Sequence, residues 1–212
     1  MENVEVIERN CNEEVIMPFE KKEEFFVEDL GVLKKKPFFS FVKRTADVLV
    51  SFFGLLILWF PMLIIAIGVR CTSKGPAFFV QDRLGLNGKK ITVIKFRTMC
   101  VDAEKRGAQW SRGDKDVRIT RFGRFLRKSR IDELPQLFNV FIGDMSLVGP
   151  RPEIPHFVEE FKQIIPLYMI KHYVKPGMTG LAQIKGLRGD TSVEKRIRED
   201  IDYIDRGYCR SV

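Results

Sequence analysis

Residues 48–69 read VLVSFFGLLILWFPMLIIAIGV, 22 residues without a charge between Asp47 and Arg70. A helix on a soluble core keeps a polar stripe because one face meets water, and this stretch has none. Wound as a straight helix it would be roughly 33 Å long, close to a bilayer core of ~30 Å. A secretory signal peptide fits poorly: the stretch starts late, follows acidic residues and lacks an A-x-A cleavage site. Two features argue against a simple crossing. Pro61 divides the stretch into 13 and 8 residues, roughly 20 and 12 Å of helix, and neither part crosses alone. Proline also leaves the Ile57 carbonyl without its helical donor and bends the chain. The flanks are both basic, with Lys34, Lys35, Lys36, Lys43 and Arg44 before and Arg70, Lys74, Arg83, Lys89 and Lys90 after. Positive residues mark the cytoplasmic side. The pattern predicts a bent, re-entrant helix, broken at Pro61, that enters and leaves on the cytoplasmic face. A single-pass anchor and a fully buried soluble helix are the alternatives.

The charge distribution points the same way. The chain has 212 residues and a net charge of +8, but residues 1–30 carry −7 and the remainder +15. The body is therefore suited to anionic partners: nucleic acid, phosphorylated small molecules or an anionic membrane face. Four scattered cysteines without a CxxC pair exclude a zinc ribbon or disulfide scaffold. His156 and His172 are too few for a histidine-rich metal site.

The expected class is α+β and helix-dominated, in three parts. Residues 1–33 are an acidic tail, 34–72 a basic lead-in and the membrane helix, and 73–212 a cytoplasmic domain. Two β-prone runs, 77–80 and 91–94, flank Asn87-Gly88, a hairpin signal. Residues 101–116 are polar and predict a loop. Helices are expected at 118–128, 132–142 (ended by Gly143), 155–172 and 192–205. A short strand is expected near Leu181–Ile184.

The chemistry-bearing residues lie between Arg118 and Arg151. Arg118, Arg121, Arg124 and Arg127 recur every three residues, so on a helix they form one slowly drifting row. The row suits a phosphate-rich surface, and a merely solvated basic face explains it as well. Asp132-Glu133 precede Pro135 at an expected helix start. On one reading Asp132 is an N-cap and Glu133 a dipole partner. On the other, carboxylates beside Arg127, Lys128 and Arg130 stay ionised, and can attack phosphorus or hold Mg²⁺. Gly149-Pro150-Arg151-Pro152 is a rigid turn that aims one guanidinium.

Five segments together carry a resemblance: Lys95-Phe96-Arg97-Thr98-Met99, DELPQLFN at 132–139, Gly143-Asp144-Met145-Ser146, Gly149-Pro150-Arg151-Pro152 and KPGMTGLAQ at 175–183. In this order they resemble the bacterial sugar transferases, monotopic polyprenyl-phosphate phosphoglycosyl transferases, over about residues 38–205. Arg188-Gly189-Asp190-Thr191-Ser192 is similar to the exopolysaccharide branch, whose members often use UDP-glucose. The resemblance implies a re-entrant membrane helix, an aspartate nucleophile (Asp132) followed by a glutamate (Glu133), and Mg²⁺ held at these two. It implies transfer of sugar-1-phosphate from a UDP-sugar to a polyprenyl phosphate such as undecaprenyl phosphate, with release of UMP. Lys95, Arg127, Arg151 and Arg188 would bind phosphates. The place is the cytoplasmic face of the bacterial inner membrane, among membrane lipids and without nucleic acid; a homodimer stays open. Phe60 stands where the family usually has serine, Lys175 where arginine is common, and the family's aromatic amphipathic segment after the Tyr203 region is missing. Two rivals remain: a non-catalytic membrane scaffold or truncated relative, and a membrane-anchored nucleic-acid-binding protein.

Overall fold

The computed structural model describes residues 37–104, 116–187 and 191–205. The tail at 1–33 and Arg188 lie outside the described residues.

Helix α1, Pro37–Thr72, is one element of 36 residues with Pro61 inside it, about 54 Å along its axis. The expected basic lead-in from 37 onward and the apolar stretch on both sides of Pro61 form one element. Pro61 removes one backbone donor, but the turns on either side carry the helix through. Half-buried or buried positions recur at Asp47, Ser51, Gly54, Leu55, Leu58, Met62, Ile65, Ala66 and Val69, a helical stripe along one side. The rest of the circumference is apolar and exposed, including Phe53, Ile57, Trp59, Phe60 and Ile64. The helix is long and apolar enough to cross a membrane, and 6% of its most apolar window is buried. That exposure excludes the buried soluble helix and makes the chain membrane-associated.

Both ends of α1 pack on the same globular domain. Near its start, Arg44 donates to the Val140 and Phe141 carbonyls at 2.7 and 2.9 Å. Lys43 donates to Ser146 Oγ and the Val148 carbonyl, and Asp47 Oδ1 accepts from Leu147 N at 3.0 Å. Gly54 meets Leu137 closely enough that a Cβ would stand 3.2 Å from Leu137 Cδ1. Near its end, Met62, Ile65, Ala66 and Val69 share a core with Phe96, Phe122 and Leu126. Two of the flanking cations, Lys43 and Arg44, therefore serve as structural ties to carbonyls rather than as free cations facing lipid.

Strands β1, Phe78–Leu84, and β2, Lys90–Phe96, form the expected antiparallel hairpin. Asn87 and Gly88 take φ of 55° and 68°, the left-handed turn that Asn-Gly favours. Helix α2 is Arg121–Ser129 and α3 Gln136–Ile142; Gly143 ends α3 at φ 103°. Strand β3, Ser146–Val148, pairs in parallel with β4, Gly177–Thr179. Helix α4 covers Pro155–Ile164, short of the expected 155–172. Ile165 precedes Pro166 and is extended, as proline demands of its predecessor; a separate 3₁₀ turn follows at Tyr168–Tyr173. Leu181–Ile184 is a short helix, α5, not a strand. Helix α6, Val193–Ile204, starts at Ser192, whose Oγ accepts from Lys195 N.

Candidate active site

The end of β2 and the two residues after it join three elements in four residues. Lys95 reaches Glu133, Phe96 fills the core beneath α1 and α2, Arg97 donates to the Ser73 carbonyl at 2.7 Å, and Thr98 Oγ1 accepts from Arg127 Nε at 3.0 Å. Thr120 caps α2 by accepting from Gly123 N at 2.9 Å. Gly123 itself lies so close to Thr98 that a Cβ would stand 2.0 Å from its carbonyl oxygen. A glycine there seats α2 against the strand end and brings Arg127 to Thr98.

Helix α2 ends at Arg130, whose φ of 63° is left-handed, at a cost of roughly 1–2 kcal/mol for a non-glycine residue. That reversal starts the 3₁₀ turn Ile131–Glu133, which buries Asp132 and Glu133 at 8% and 7% exposure. The next helix begins only at Gln136, with Pro135 at its N-cap and no side-chain cap. The N-cap reading of Asp132 is thereby corrected.

The adjacent carboxylates have different surroundings. Glu133 Oε1 accepts from Lys95 Nζ at 3.1 Å and from Arg151 at 2.6 Å. Burial opposes its ionisation, but the charges and hydrogen bonds of Arg151 and Lys95 hold it well below the usual carboxylate range. Asp132 makes no side-chain hydrogen bond among the described residues. Its pKa is raised, first by burial and then by Glu133, against the pull of Lys95, Arg127 and Arg151. The expectation that neighbouring cations simply keep it ionised misses this desolvation. Lys95 is pulled down to about 7 by burial and by the Arg151 and Arg83 charges. Arg151 is raised: burial works against its charge, and Glu133, Glu153 and Asp132 together outweigh burial.

The turn carrying Arg151 is clamped on both sides. Gly149 N donates to the Thr179 carbonyl and Gly177 N to the Pro150 carbonyl, each at 2.8 Å. A Cβ on Gly149 would stand 2.5 Å from the Lys175 carbonyl oxygen; the glycines of this region allow backbone to meet backbone. Opposite, Arg83 donates to the Pro152 carbonyl at 2.6 Å, and Leu84 N to the Glu153 carbonyl at 2.9 Å. Arg83, Thr98 and Glu153 are members of this site that sequence reasoning missed. Glu153, directly after the Pro-Arg-Pro turn, carried the only local signal. Burial raises it, but Arg83 and Lys171 hold its pKa low.

Lys95, Arg127, Asp132, Glu133 and Arg151 are thus one cluster, and Arg188 lies outside the described residues. The arginine row is not preserved: Arg118 precedes α2 and pairs with Asp116 at 2.6 Å, Arg121 and Arg124 are exposed, and Arg127 turns inward. No group of three or more His, Cys, Asp or Glu side chains suits a metal among the described residues. The two carboxylates fit Mg²⁺ in its usual mode, in which one or two carboxylates are completed by substrate phosphates and water.

Comparison with known proteins identifies the family. The bacterial sugar transferase family matches residues 38–209. A UDP-glucose:undecaprenyl-phosphate glucose-1-phosphate transferase of Xanthomonas campestris pv. campestris is 44% identical over 180 residues, 83% of this chain and 37% of the relative. A UDP-N-acetylgalactosamine-undecaprenyl-phosphate N-acetylgalactosaminephosphotransferase of Aeromonas hydrophila is 43% identical over 177 residues, 82% of this chain and 42% of the relative. The exopolysaccharide production protein PSS of Rhizobium leguminosarum bv. phaseoli is 40% identical over 170 residues, 77% of this chain and 85% of the relative. The chain thus spans about two fifths of the first two relatives and most of the third. A family match that takes in the membrane helix, the Asp132-Glu133 turn and the Arg151 clamp shows that this chain belongs to the bacterial sugar transferases.

Proposed function

We propose that this protein transfers sugar-1-phosphate from a UDP-sugar to a polyprenyl phosphate, undecaprenyl phosphate by its relatives' names, through a covalent aspartyl intermediate. One observation carries the reading: Asp132 is buried, caps no helix and accepts no hydrogen bond from the described residues, beside a glutamate held by two cations. A carboxylate kept buried and uncommitted among Lys95, Arg127 and Arg151 has no structural task in view and is well placed to attack phosphorus.

In the first step an Asp132 carboxylate oxygen bonds to the β-phosphorus and the bridging P–O bond breaks, its electron pair leaving with UMP. In the second an oxygen of polyprenyl phosphate bonds to that phosphorus. The aspartyl–phosphorus bond breaks, Asp132 regains its carboxylate, and a polyprenyl diphosphate sugar is formed. The acceptor phosphate is largely ionised at neutral pH and needs little base assistance. Glu133 fixes Lys95 and Arg151 so that their remaining donors face the phosphates. Arg127, held by Thr98, adds charge beside Asp132. Mg²⁺, held by Asp132 and Glu133 with the donor's phosphates, would neutralise the diphosphate when bound.

Packing supports the membrane placement proposed here. Both ends of α1 rest on one domain that carries a polar, charged site. A perpendicular crossing would draw that domain into hydrocarbon, where its unmet polar groups are costly. This supports both flanks lying on one face, the cytoplasmic one where nucleotide sugars are found, and a monotopic chain. UDP-glucose is the favoured donor, by the name of the Xanthomonas relative, with UDP-N-acetylgalactosamine the second choice by the Aeromonas one. UMP release from a UDP-sugar panel, with undecaprenyl phosphate and Mg²⁺, tests the reading. UMP from no donor in the panel would refute it.

A further inference from the structure

The outward face of α2 is a cluster of uncompensated cations. Arg121, Arg124 and Lys128 are exposed on the helix, and Arg130 is exposed just past its end. None of the four forms an ion pair among the described residues. The sequence from 117 to 131 holds six bases and no acid. At helical spacing Arg121, Arg124, Phe125 and Lys128 fall within an arc of about 100°. The opposite side of α2 is buried at Gly123 and Leu126. Like charges three and four residues apart on a helix repel one another. An anionic surface laid against this face removes that cost.

What α2 packs on selects the kind of surface. Phe122 rests on the membrane helix so closely that a Cβ on Gly68 of α1 would stand 3.0 Å from its ring. Phe125 stacks on Phe122, with ring centroids 6.2 Å apart, and is 59% exposed. The apolar surface that α1 leaves uncovered therefore continues onto α2 and ends at Phe125, in the midst of the free cations. A phenyl ring ringed by cations, at the edge of a membrane helix, matches the layer where acyl chains meet headgroup phosphates. A soluble nucleotide or a nucleic acid would use the cations but gives no reason for this continuity with α1. We propose that the outward face of α2 docks on anionic phospholipids. Arg121, Arg124 and Lys128 meet headgroup phosphates, and Phe125 enters the interfacial layer. Arg127 and the Asp132 turn follow directly from this helix, so the docking holds the site at the membrane surface. The inference needs α1 in the bilayer and does not depend on the transferase reading.

The test places the full-length protein in nanodiscs of phosphatidylcholine alone and of phosphatidylcholine mixed with phosphatidylglycerol. Lysine acetylation is then mapped by mass spectrometry. Lys128 should react about 3-fold more slowly in the anionic discs, because a negative surface holds protons on an amine beside it. Lys195, exposed on α6, should react alike in both. Thermal unfolding in the same discs gives the second reading. Phosphatidylglycerol should raise the wild-type Tm, and high salt should shrink the rise. Arg121→Gln/Arg124→Gln/Lys128→Gln should lose the rise. Lys89→Gln/Lys195→Gln/Arg198→Gln, which removes as many exposed charges elsewhere, should keep it. Lys128 reacting alike in both discs overturns the inference, and needs no variant to fold. A rise kept by the α2 variant, or lost equally by both variants, overturns it as well. If UDP-glucose shields Lys128 and phosphatidylglycerol does not, the face belongs to the donor's site and the inference falls. A protein that shows the lipid-dependent shielding but releases no UMP supports this inference and defeats the transferase reading alone.

Discussion

Replacing Glu133 with glutamine separates the two carboxylates. The Glu133 side chain is 9% exposed and receives two charged donors, Lys95 at 3.1 Å and Arg151 at 2.6 Å. Glutamine keeps the volume but removes the anion, leaving two partly buried cations beside Asp132. Breaking a buried pair costs about 3–5 kcal/mol. Lys95 and Arg151 keep 15% and 30% of their side-chain exposure, so the lower end applies, about 3 kcal/mol. For a chain of this size that is a fall in Tm of about 6–12 °C. The second consequence concerns pH. Glu133 is one of the two causes that raise Asp132; without it, and with Lys95 and Arg151 released towards Asp132, the Asp132 pKa falls. Attack requires the carboxylate, so activity is lost as pH falls through that pKa. A lower pKa therefore moves the acid limb of kcat/KM for UMP release to lower pH, while the maximal rate drops because the nucleophile is now paired. Thermal unfolding and a pH–rate profile measure both. A Glu133→Gln protein of unchanged Tm whose acid limb stays in place, or moves up, would refute the division of roles.

Lys95 sits at about 7, so its charge is lost as pH rises through neutrality, and kcat/KM should decline on the alkaline side. Lys95→Arg keeps the charge at all working pH values and should shift that limb upward, as a pH–rate profile would show. Gly123→Ala places a Cβ 2.0 Å from the Thr98 carbonyl oxygen, a backbone clash that must push α2 away. Unfolding should show a loss of about 3 kcal/mol or more, and UMP release should fall because Arg127 leaves Thr98. Arg44→Met removes two hydrogen bonds to the last carbonyls of α3. Limited proteolysis of the membrane-bound protein should then cleave more readily between α1 and α3, at about 2–3 kcal/mol of lost stability.

Local chemistry was legible where a residue type leaves few options. Asn87-Gly88 announced the hairpin and Gly143 the end of α3. The uncharged run at 48–69 announced a membrane helix, because no soluble surface accommodates it. Misread features depended on partners distant in sequence or on competition between neighbours. The arginine row assumed one helix through Arg118, but Asp116 two residues earlier captures that guanidinium. Asp132 has every mark of an N-cap by composition; the left-handed Arg130 inserts a 3₁₀ turn that moves the true helix start to Gln136. Leu181–Ile184 resembled a strand by composition, yet the pairing falls on Gly177–Thr179, because only there do glycines let the backbone approach Gly149. Arg83 was invisible, and Glu153 was signalled only by its place after the Pro-Arg-Pro turn, because their roles exist only once β1 lies beside that turn. The motif residues Lys95, Arg127, Asp132, Glu133 and Arg151 do come together. What spacing could not convey is that Glu133 is committed to cations and Asp132 is not.

Retention of label on Asp132 tests the central claim most directly. Wild-type protein is given a UDP-sugar carrying radiolabel in its β-phosphate, with Mg²⁺ and no lipid acceptor, then denatured and mapped by proteolysis. The account predicts label on the peptide containing Asp132, released when undecaprenyl phosphate is added before denaturation. Asp132→Asn should carry no label and show no turnover. Because no helix depends on Asp132 for its cap, and because burial disfavours the carboxylate's charge, Asp132→Asn should also be at least as stable as wild type at neutral pH. An active Asp132→Asn enzyme, or label that persists on that variant, would contradict the covalent mechanism.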